Sequence, residues 1–398
     1  MTISTLSFQM NAASQMEALQ TAMAKTQTQL STGKQFQSAA GNPVGMSEVM
    51  QLNTQLSASQ QYVSNGTLAT TSLNLETQAL TDATNTLQSA RSLIIEGNNS
   101  SLNASQRQAI ATQLTQLQAQ LVSIGNLQDA QGNYLFSGYA SGTQPFAQNG
   151  TSVTYQGAAE VSRVQLSADQ SISTGDTGNA VFMNIPAGNG TFTTAAAATN
   201  TGSASISTGT LTNPSAWVPG NYTVTFGTGN TYQITDASGT AVSSGTYTPD
   251  AGGNFTISFN GTQLSFSGTP AVNDQFSVAT AGTASAFSTI SSAISALNTP
   301  NLSTAQIATK LSGALQQVDG AINNFNQVAA SVGARINAVS TAATAAQSQQ
   351  TSVQTTISQI SDTNYAAATT QLSTEELALQ AAQASYASMM QLTLFKYI

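Results

Sequence analysis

From Leu311 to Val339 the apolar residues recur in steps of three and four, as Leu311, Leu315, Val318, Ile322, Phe325, Ala329, Val332, Ile336 and Val339. A stripe of this length and period lies along one face of an α-helix. Ser303 with Gln306 three residues later forms a capping-box pattern that would open it. An unbroken helix from there to Ile360 is roughly 85 Å long at ~1.5 Å per residue. Such a rod needs partner helices to cover its apolar face, and residues 68–135 can supply them. There Leu73, Leu80, Leu87 and Ile94 fall seven apart with Ala83 and Ala90 between them, and Ile110, Leu114, Leu117, Leu121 and Ile124 keep heptad-like spacing. Gly97-Asn98-Asn99-Ser100 breaks these two segments, and Asn103 with Gln106 resembles a capping box opening the second. The pattern predicts a long antiparallel helical rod.

Both ends of the chain carry further amphipathic stripes. Ile3, Leu6, Met10, Ala13, Met16, Leu19, Met23 and Leu30 mark one helix, with a skipped position near Thr26. Leu372, Leu379 and Tyr386, spaced by seven, mark another, extended by Met390, Leu394 and Tyr397. Two such helices cover each other only in part, so each keeps apolar surface for another partner. One expectation is that the ends order on assembly; the other is that they pair and dock on the body.

Between the helical parts, from about 141 to 283, the period changes to two. Tyr222-Val224-Phe226, Tyr232 with Ile234, Phe255-Ile257-Phe259, Leu264 with Phe266, and Phe276 with Val278 read as strands with one buried face. Gly227-Thr228-Gly229-Asn230, Asn260-Gly261 and Gly252-Gly253 supply the positive φ angles that hairpins need. A β-sandwich or small barrel follows. The stretch from about Thr191 to Thr210, built of Ala, Thr, Ser and Gly, reads as a loop. The fold class expected is mainly α with a β insertion. Paired terminal helices occupy 1–40 and 362–398, a helical rod 41–141 and 285–361, and a β-rich outer insertion 142–284.

Composition narrows the function. Only 6% of the 398 residues are charged, against about 25% in an average domain, which suits side-by-side packing where few charges must be desolvated. A net charge of -8 and eight scattered basic residues exclude a nucleic-acid footprint. No run approaches the roughly 18 to 20 apolar residues that span a bilayer, so no membrane insertion is expected. The N-terminal pattern is amphipathic and does not resemble a Sec-type signal, so export would need another machine. With no histidine and no cysteine, a Ser-His-Asp triad, a thiolate nucleophile and the commonest zinc sites are excluded. Glu375-Glu376 share no helix face, and Asp236 and Asp250 sit by turns, so they read as solvated carboxylates. Gly227-x-Gly229 and Gly188-x-Gly190 lack the rest of a dinucleotide fingerprint, and Gly33-Lys34 lacks the rest of a P-loop. No catalytic, cofactor or metal site is expected.

Several segments together resemble the flagellin family of bacterial flagellar axial proteins, and its hook–filament junction branch in particular. They are Gln29-Leu30-Ser31-Thr32-Gly33-Lys34 with the turn Ser38 to Pro43, Gly132-Asn133-Tyr134-Leu135-Phe136-Ser137-Gly138-Tyr139, and Thr143-Gln144-Pro145-Phe146. Near the other end they are Val332-Gly333-Ala334-Arg335-Ile336-Asn337, Asp362-Thr363-Asn364-Tyr365-Ala366, Leu372-Ser373 and Leu394-Phe395-Lys396-Tyr397-Ile398. The resemblance covers 1–146 and 285–398, and nothing nameable resembles the insertion. It implies a non-enzymatic structural subunit exported unfolded through the flagellar type III apparatus, with a chaperone guarding its C-terminal helix. It also implies a ring of copies outside the cell, between a neighbouring hook-associated protein and flagellin. The residues expected to pack in assembly are Ile3, Leu6, Met10, Leu19, Met23, Leu30, Leu372, Leu379, Tyr386, Met390, Leu394 and Tyr397. A filament flagellin is the alternative. A secreted adhesin or carbohydrate-binding module, motivated by Trp217, Tyr222, Tyr232 and Tyr247, is more distant. An intracellular coiled-coil dimer is disfavoured by the near absence of e/g charge pairs.

Overall fold

The structure is a computed structural model that describes residues 2–391, apart from the side chains of residues 2–6, 389 and 391. It divides into two compact units, Met1–Ser64 with Ala342–Ile398, and Asn65–Thr341. Among the described residues six α-helices run in chain order: α1 (Thr2–Thr32), α2 (Pro43–Gly97), α3 (Ala104–Gly125), α4 (Ala286–Asn298), α5 (Thr304–Ser361) and α6 (Tyr365–Gln391). The residues of α2 and α5 are shared between the two units. No helix among the described residues is long and apolar enough to cross a membrane.

Caps read from the sequence form as hydrogen bonds. Asn103 and Gln106 exchange side-chain to backbone bonds at 2.9 Å each to open α3, and Ser303 and Gln306 do the same for α5 at 2.9 and 3.2 Å. Pro43 stands at the first position of α2, where a missing N–H costs nothing, and Asn42 Oδ1 accepts from Gly45 N–H at 3.0 Å.

In the larger unit the heptad positions Leu73, Ala83, Leu87, Ala90 and Ile94 of α2 are wholly buried, as are Leu311, Val318, Phe325 and Val332 of α5. The two helices run antiparallel there: Arg91 Nε donates to Asp319 Oδ1 at 2.7 Å, and Glu76 lies against Arg335 fifteen residues back along α2. The helical period resumes earlier than its sequence pattern suggested after Pro300. Helix α4 buries Phe287, Ile290, Ile294 and Leu297, a 3-4-3 spacing, and packs along α3.

Residues 126–187 form the passage into the insertion. They hold two hairpins, β1 (Phe146–Asn149) with β2 (Ser152–Tyr155) and β3 (Arg163–Gln165) with β4 (Ser171–Ser173). A five-residue π-turn at Asn179–Met183 and the short strand β5 (Ile185–Pro186) complete it. The core of this passage is aromatic. Phe136, Phe146, Phe182, Phe287 and Phe325 are all fully buried, with neighbouring centroids 5.0 to 5.6 Å apart. Gly138 takes φ +64, and a Cβ there would lie 2.5 Å from the Glu160 carbonyl and 2.8 Å from that of Ala158. Only glycine fits this bend.

The insertion is a sandwich, as its period-two pattern suggested. Its strands are β6 (Phe192–Ala196), β7 (Ser205–Ile206), β8 (Thr210–Leu211), β9 (Asn221–Phe226), β10 (Thr231–Asp236), β11 (Ala241–Thr246), β12 (Asn254–Phe259), β13 (Thr262–Ser267) and β14 (Gln275–Thr280). One antiparallel sheet has the order β11-β10-β9-β14-β6, and the other β12-β13-β7, with β8 also on β13. Phe226 of the first sheet meets Phe255 and Phe266 of the second edge-on at 5.8 and 5.3 Å. A final strand, β15 (Thr283–Ala284), pairs with β5 on the way back. Asn260 (φ +44) and Gly261 (φ +74) make the β12–β13 turn.

The stretch Thr191–Thr210 is a correction: it holds β6 and β7 and leads into β8. Phe192 and Ile206 are buried anchors, and β6 pairs with β14 from Phe192↔Thr280 to Ala196↔Phe276. An edge strand is held by its backbone ladder, so Thr and Ala suffice between anchors and no apolar alternation marks it.

Candidate assembly interface

In the smaller unit α1 and α6 run antiparallel and pack closely, Thr26 lying against Glu375 and Gln9 against Met390. The seam follows part of the sequence stripe, with Ala12 and Ala22 in it and Ala13 exposed. Ala12, Met16, Leu19, Ala22, Met23 and Leu30 of α1 are half-buried, as are Leu372, Ala378, Leu379, Ala382 and Tyr386 of α6. Small residues on both helices permit the close approach. Fully buried in the pair are Thr26 and Ala368.

Thr26 explains the skipped position in the stripe. Its hydroxyl lies 3.0 Å from Glu375 Oε2 and 3.1 Å from the Ala22 carbonyl, and Gln371 Nε2 donates to Glu375 Oε1 at 2.9 Å. A buried polar group with partners sets the register of the two helices where an apolar residue would slide. Glu375 therefore has a packing role.

At the end of the seam the chain is clasped. Lys34 Nζ donates to Asp362 Oδ1 at 2.5 Å and to Ser361 Oγ at 3.1 Å, and Ser358 donates to Asp362 Oδ2 at 2.5 Å. The Gln35 N–H donates to the Ser361 carbonyl and the Thr363 N–H to that of Gly33. Gly33 takes φ +71. Asn364 Oδ1 then accepts from Ala367 N–H at 3.2 Å and opens α6. The motifs Ser31 to Lys34 and Asp362 to Ala366 thus meet as one joint, which is what Gly33-Lys34 does in place of binding phosphate.

Hydrogen bonds from Lys34 and Ser358, with a lesser one from Ser361, hold the Asp362 carboxyl down at about 2. A depressed acid stabilises the fold fully above its unfolded value near 4 and loses that contribution as pH falls toward 2. Because both partners are more than 40% exposed, the pair is worth at most about 1 kcal/mol. The expected result is that Asp362→Asn flattens the loss of stability between pH 4 and pH 2. Denaturant melts of both proteins at pH 7, 4 and 2.5 check this.

The sequence-derived interface residues fall into three groups. Leu19, Met23, Leu30, Leu372, Leu379 and Tyr386 lie half-buried at the seam, while Met10 is 66% exposed and Met390, although it touches Gln9 across the pair, is 45% exposed. The side chains of Ile3 and Leu6, and residues Leu394 and Tyr397, lie outside the described residues. Sequence reading missed Phe8, Tyr365 and Leu377, which are 50%, 55% and 71% exposed. Phe8 and Leu377 stand off the stripes, so periodicity scored them as outside, whereas Tyr365 lies seven before Leu372 and continues the α6 stripe. Large apolar side chains thus lie uncovered on both helices.

Residues 3–141 match the bacterial flagellin N-terminal helical region, and residues 315–398 the bacterial flagellin C-terminal helical region. FlgL of Xanthomonas campestris is 31% identical, with 77% of this chain and 99% of that one aligned at a TM-score of 0.70. The chain belongs to the flagellin family, in its FlgL branch. Another FlgL-branch structure, flagellar hook associated protein-3 of Legionella pneumophila, is 31% identical over 78% of this chain and 98% of that one, with a TM-score of 0.72. Flagellar hook-associated protein 3 of Escherichia coli (strain K12) is 32% identical over 157 residues, 39% of this chain. The match spans 49%, about half, of that curated relative's length.

Residues 195–280 match the D2-like domain of flagellar hook-associated protein 1. This corrects the reading that the insertion resembles nothing nameable: its likeness is to a domain of a different hook-associated protein, and short Thr- and Gly-rich strands gave no local motif to signal it.

Proposed function

We propose that this chain is a structural subunit of the bacterial flagellum that joins hook to filament through its terminal helices. The observation that carries this reading is the α1–α6 pair, which leaves Phe8, Met10, Tyr365, Leu377 and much of Met390 exposed in a chain aligned over nearly the whole of two FlgL-branch structures. Its work is packing and not chemistry. The twelve apolar residues of the two ends named from the sequence, together with Phe8, Tyr365 and Leu377, are the proposed contact set. Residues 1–40 with 362–398 form the inner assembly region, 41–141 with 285–361 the helical body, and 142–284 the outer insertion. The partners are copies of the chain in a ring, a neighbouring hook-associated protein and flagellin. An export chaperone holds the C-terminal helix until the chain leaves the cell unfolded and takes its place on the extracellular flagellum.

The adhesin reading loses its motive. Tyr222 and Tyr247 are buried in the sandwich core, and Trp217 and Tyr232 pack half-buried against it. Immunogold labelling of purified flagella is expected to give a single narrow band where hook meets filament. Label along the whole filament would make the chain a filament flagellin, and bare flagella would end the axial reading.

A further inference from the structure

Glu76 occupies on α2 the heptad position that Ala83 and Ala90 fill one and two repeats later, and it is 2% exposed. Its neighbours one turn away, Ser72, Leu73, Ala79 and Leu80, carry no charge. The charged groups that face it come from two other elements. They are Asp176, in the segment before the π-turn, and Arg335 of α5.

Arg335 Nη2 donates to Asp176 Oδ2, and Nη1 to the Gly175 carbonyl at 3.2 Å. Asp176 is the one residue whose carboxyl and backbone N–H approach the Glu76 carboxyl, both short of good hydrogen-bond geometry, and Arg335 Nε is equally unpartnered. A Cβ on Gly175 would stand 3.6 Å from Glu76 Oε2, so the carboxyl is pressed against this segment. The same segment holds the core of the passage: Gly178 N–H donates to the Phe136 carbonyl at 2.8 Å, and Thr177 is buried.

An ionised carboxylate in such a place is unfavourable, because burial removes its water and the weak approach of the Asp176 N–H does not make up the loss. Burial first, and then the Asp176 carboxylate, push Glu76 up to about 8, against the pull of Arg335. We propose that Glu76, Asp176 and Arg335 form a proton-controlled latch that pins residues 174–178 between α2 and α5. With Glu76 neutral, the guanidinium is left to Asp176 and Gly175. With Glu76 ionised, two carboxylates, one of them buried, compete for one cation and the segment loosens.

The sign is opposite to that of Asp362. The folded chain keeps on Glu76 a proton that the unfolded chain releases above about 4.5, so folding takes up a proton between pH 4.5 and pH 8. Stability from this site is greatest at acid pH, falls as pH rises through that window and levels off above it.

The test uses the full chain as wild type and as Glu76→Gln, which keeps the shape and the neutrality of the protonated acid. Urea unfolding is measured at pH 5, 6, 7 and 8, with amide-exchange protection factors for Thr177 and Gly178 at pH 6 and 8. The wild-type unfolding constant is expected to rise at least tenfold more than that of Glu76→Gln between pH 5 and pH 8. Protection of Gly178 should fall at pH 8 in the wild type only. Parallel pH profiles for the two proteins, or a Gln variant less stable than wild type at pH 8, would overturn the latch.

Discussion

Phe146→Ala is expected to destabilise the larger unit by about 3–5 kcal/mol, the range for removal of a buried aromatic ring. The ring is fully buried, with Phe287 centred 5.0 Å away, Phe182 5.3 Å and Tyr155 5.5 Å. Its backbone cannot follow a smaller side chain into the space. Phe146 N–H donates to Asn126 Oδ1 and its carbonyl accepts from Asn126 Nδ2, both at 2.9 Å. The walls cannot close either. Two of them are glycines, Gly125 and Gly178, on which a Cβ would stand 2.7 and 2.5 Å from the ring. The cavity therefore stays open, and its cost adds to the lost transfer free energy. Urea denaturation of the full chain followed by far-UV circular dichroism measures the effect. A loss below 1 kcal/mol would mean that the passage repacks and that its glycines do not grip the ring.

The Pro145-Phe146 pair shows what kind of information the sequence carried. Resemblance singled it out, but its role is visible only where α3, α4, β1 and the π-turn converge, since no local pattern says that Phe136, Phe182, Phe287 and Phe325 share a core. Long periodic elements were legible because one physical rule, a buried stripe, acts on many residues at once. Leu73, Leu87, Ile94, Val318 and Phe325 therefore lie where their spacing puts them. Caps were legible because they are local, as Asn103 with Gln106 and Ser303 with Gln306 show.

What escaped reading was set by tertiary contacts. The strand β6 is held by its ladder with β14, and α4 is short enough that Phe287, Ile290, Ile294 and Leu297 alone mark it. Glu76 was legible in principle: it stands seven residues before Ala83 and fourteen before Ala90, inside a heptad read as apolar. A charge at an inner position signals a special environment, but only the structure supplies Asp176 and Arg335 as its cause. At the proposed interface the limitation is of another kind. Periodicity finds the seam between α1 and α6, whereas the residues left for a further partner lie beside it.

That distinction sets the largest functional effect. The double variant Met10→Lys, Leu377→Lys is expected to fold as the wild type does and to abolish assembly. Both side chains are about two-thirds or more exposed, so each change stays within about 0.5 kcal/mol of neutral for the isolated chain. In a packed assembly the same two positions would bury a charge without a partner, which costs several kcal/mol per site and exceeds what a single subunit contact can offset. Two measurements separate the outcomes. Thermal unfolding of the purified chain should be unchanged, while cells carrying the variant in place of the wild type should lose the gold-labelled band at the hook end and swim poorly. Normal assembly with both lysines present would place the contact on another face of the helix pair, and a destabilised monomer would mean that these side chains serve the chain's own fold.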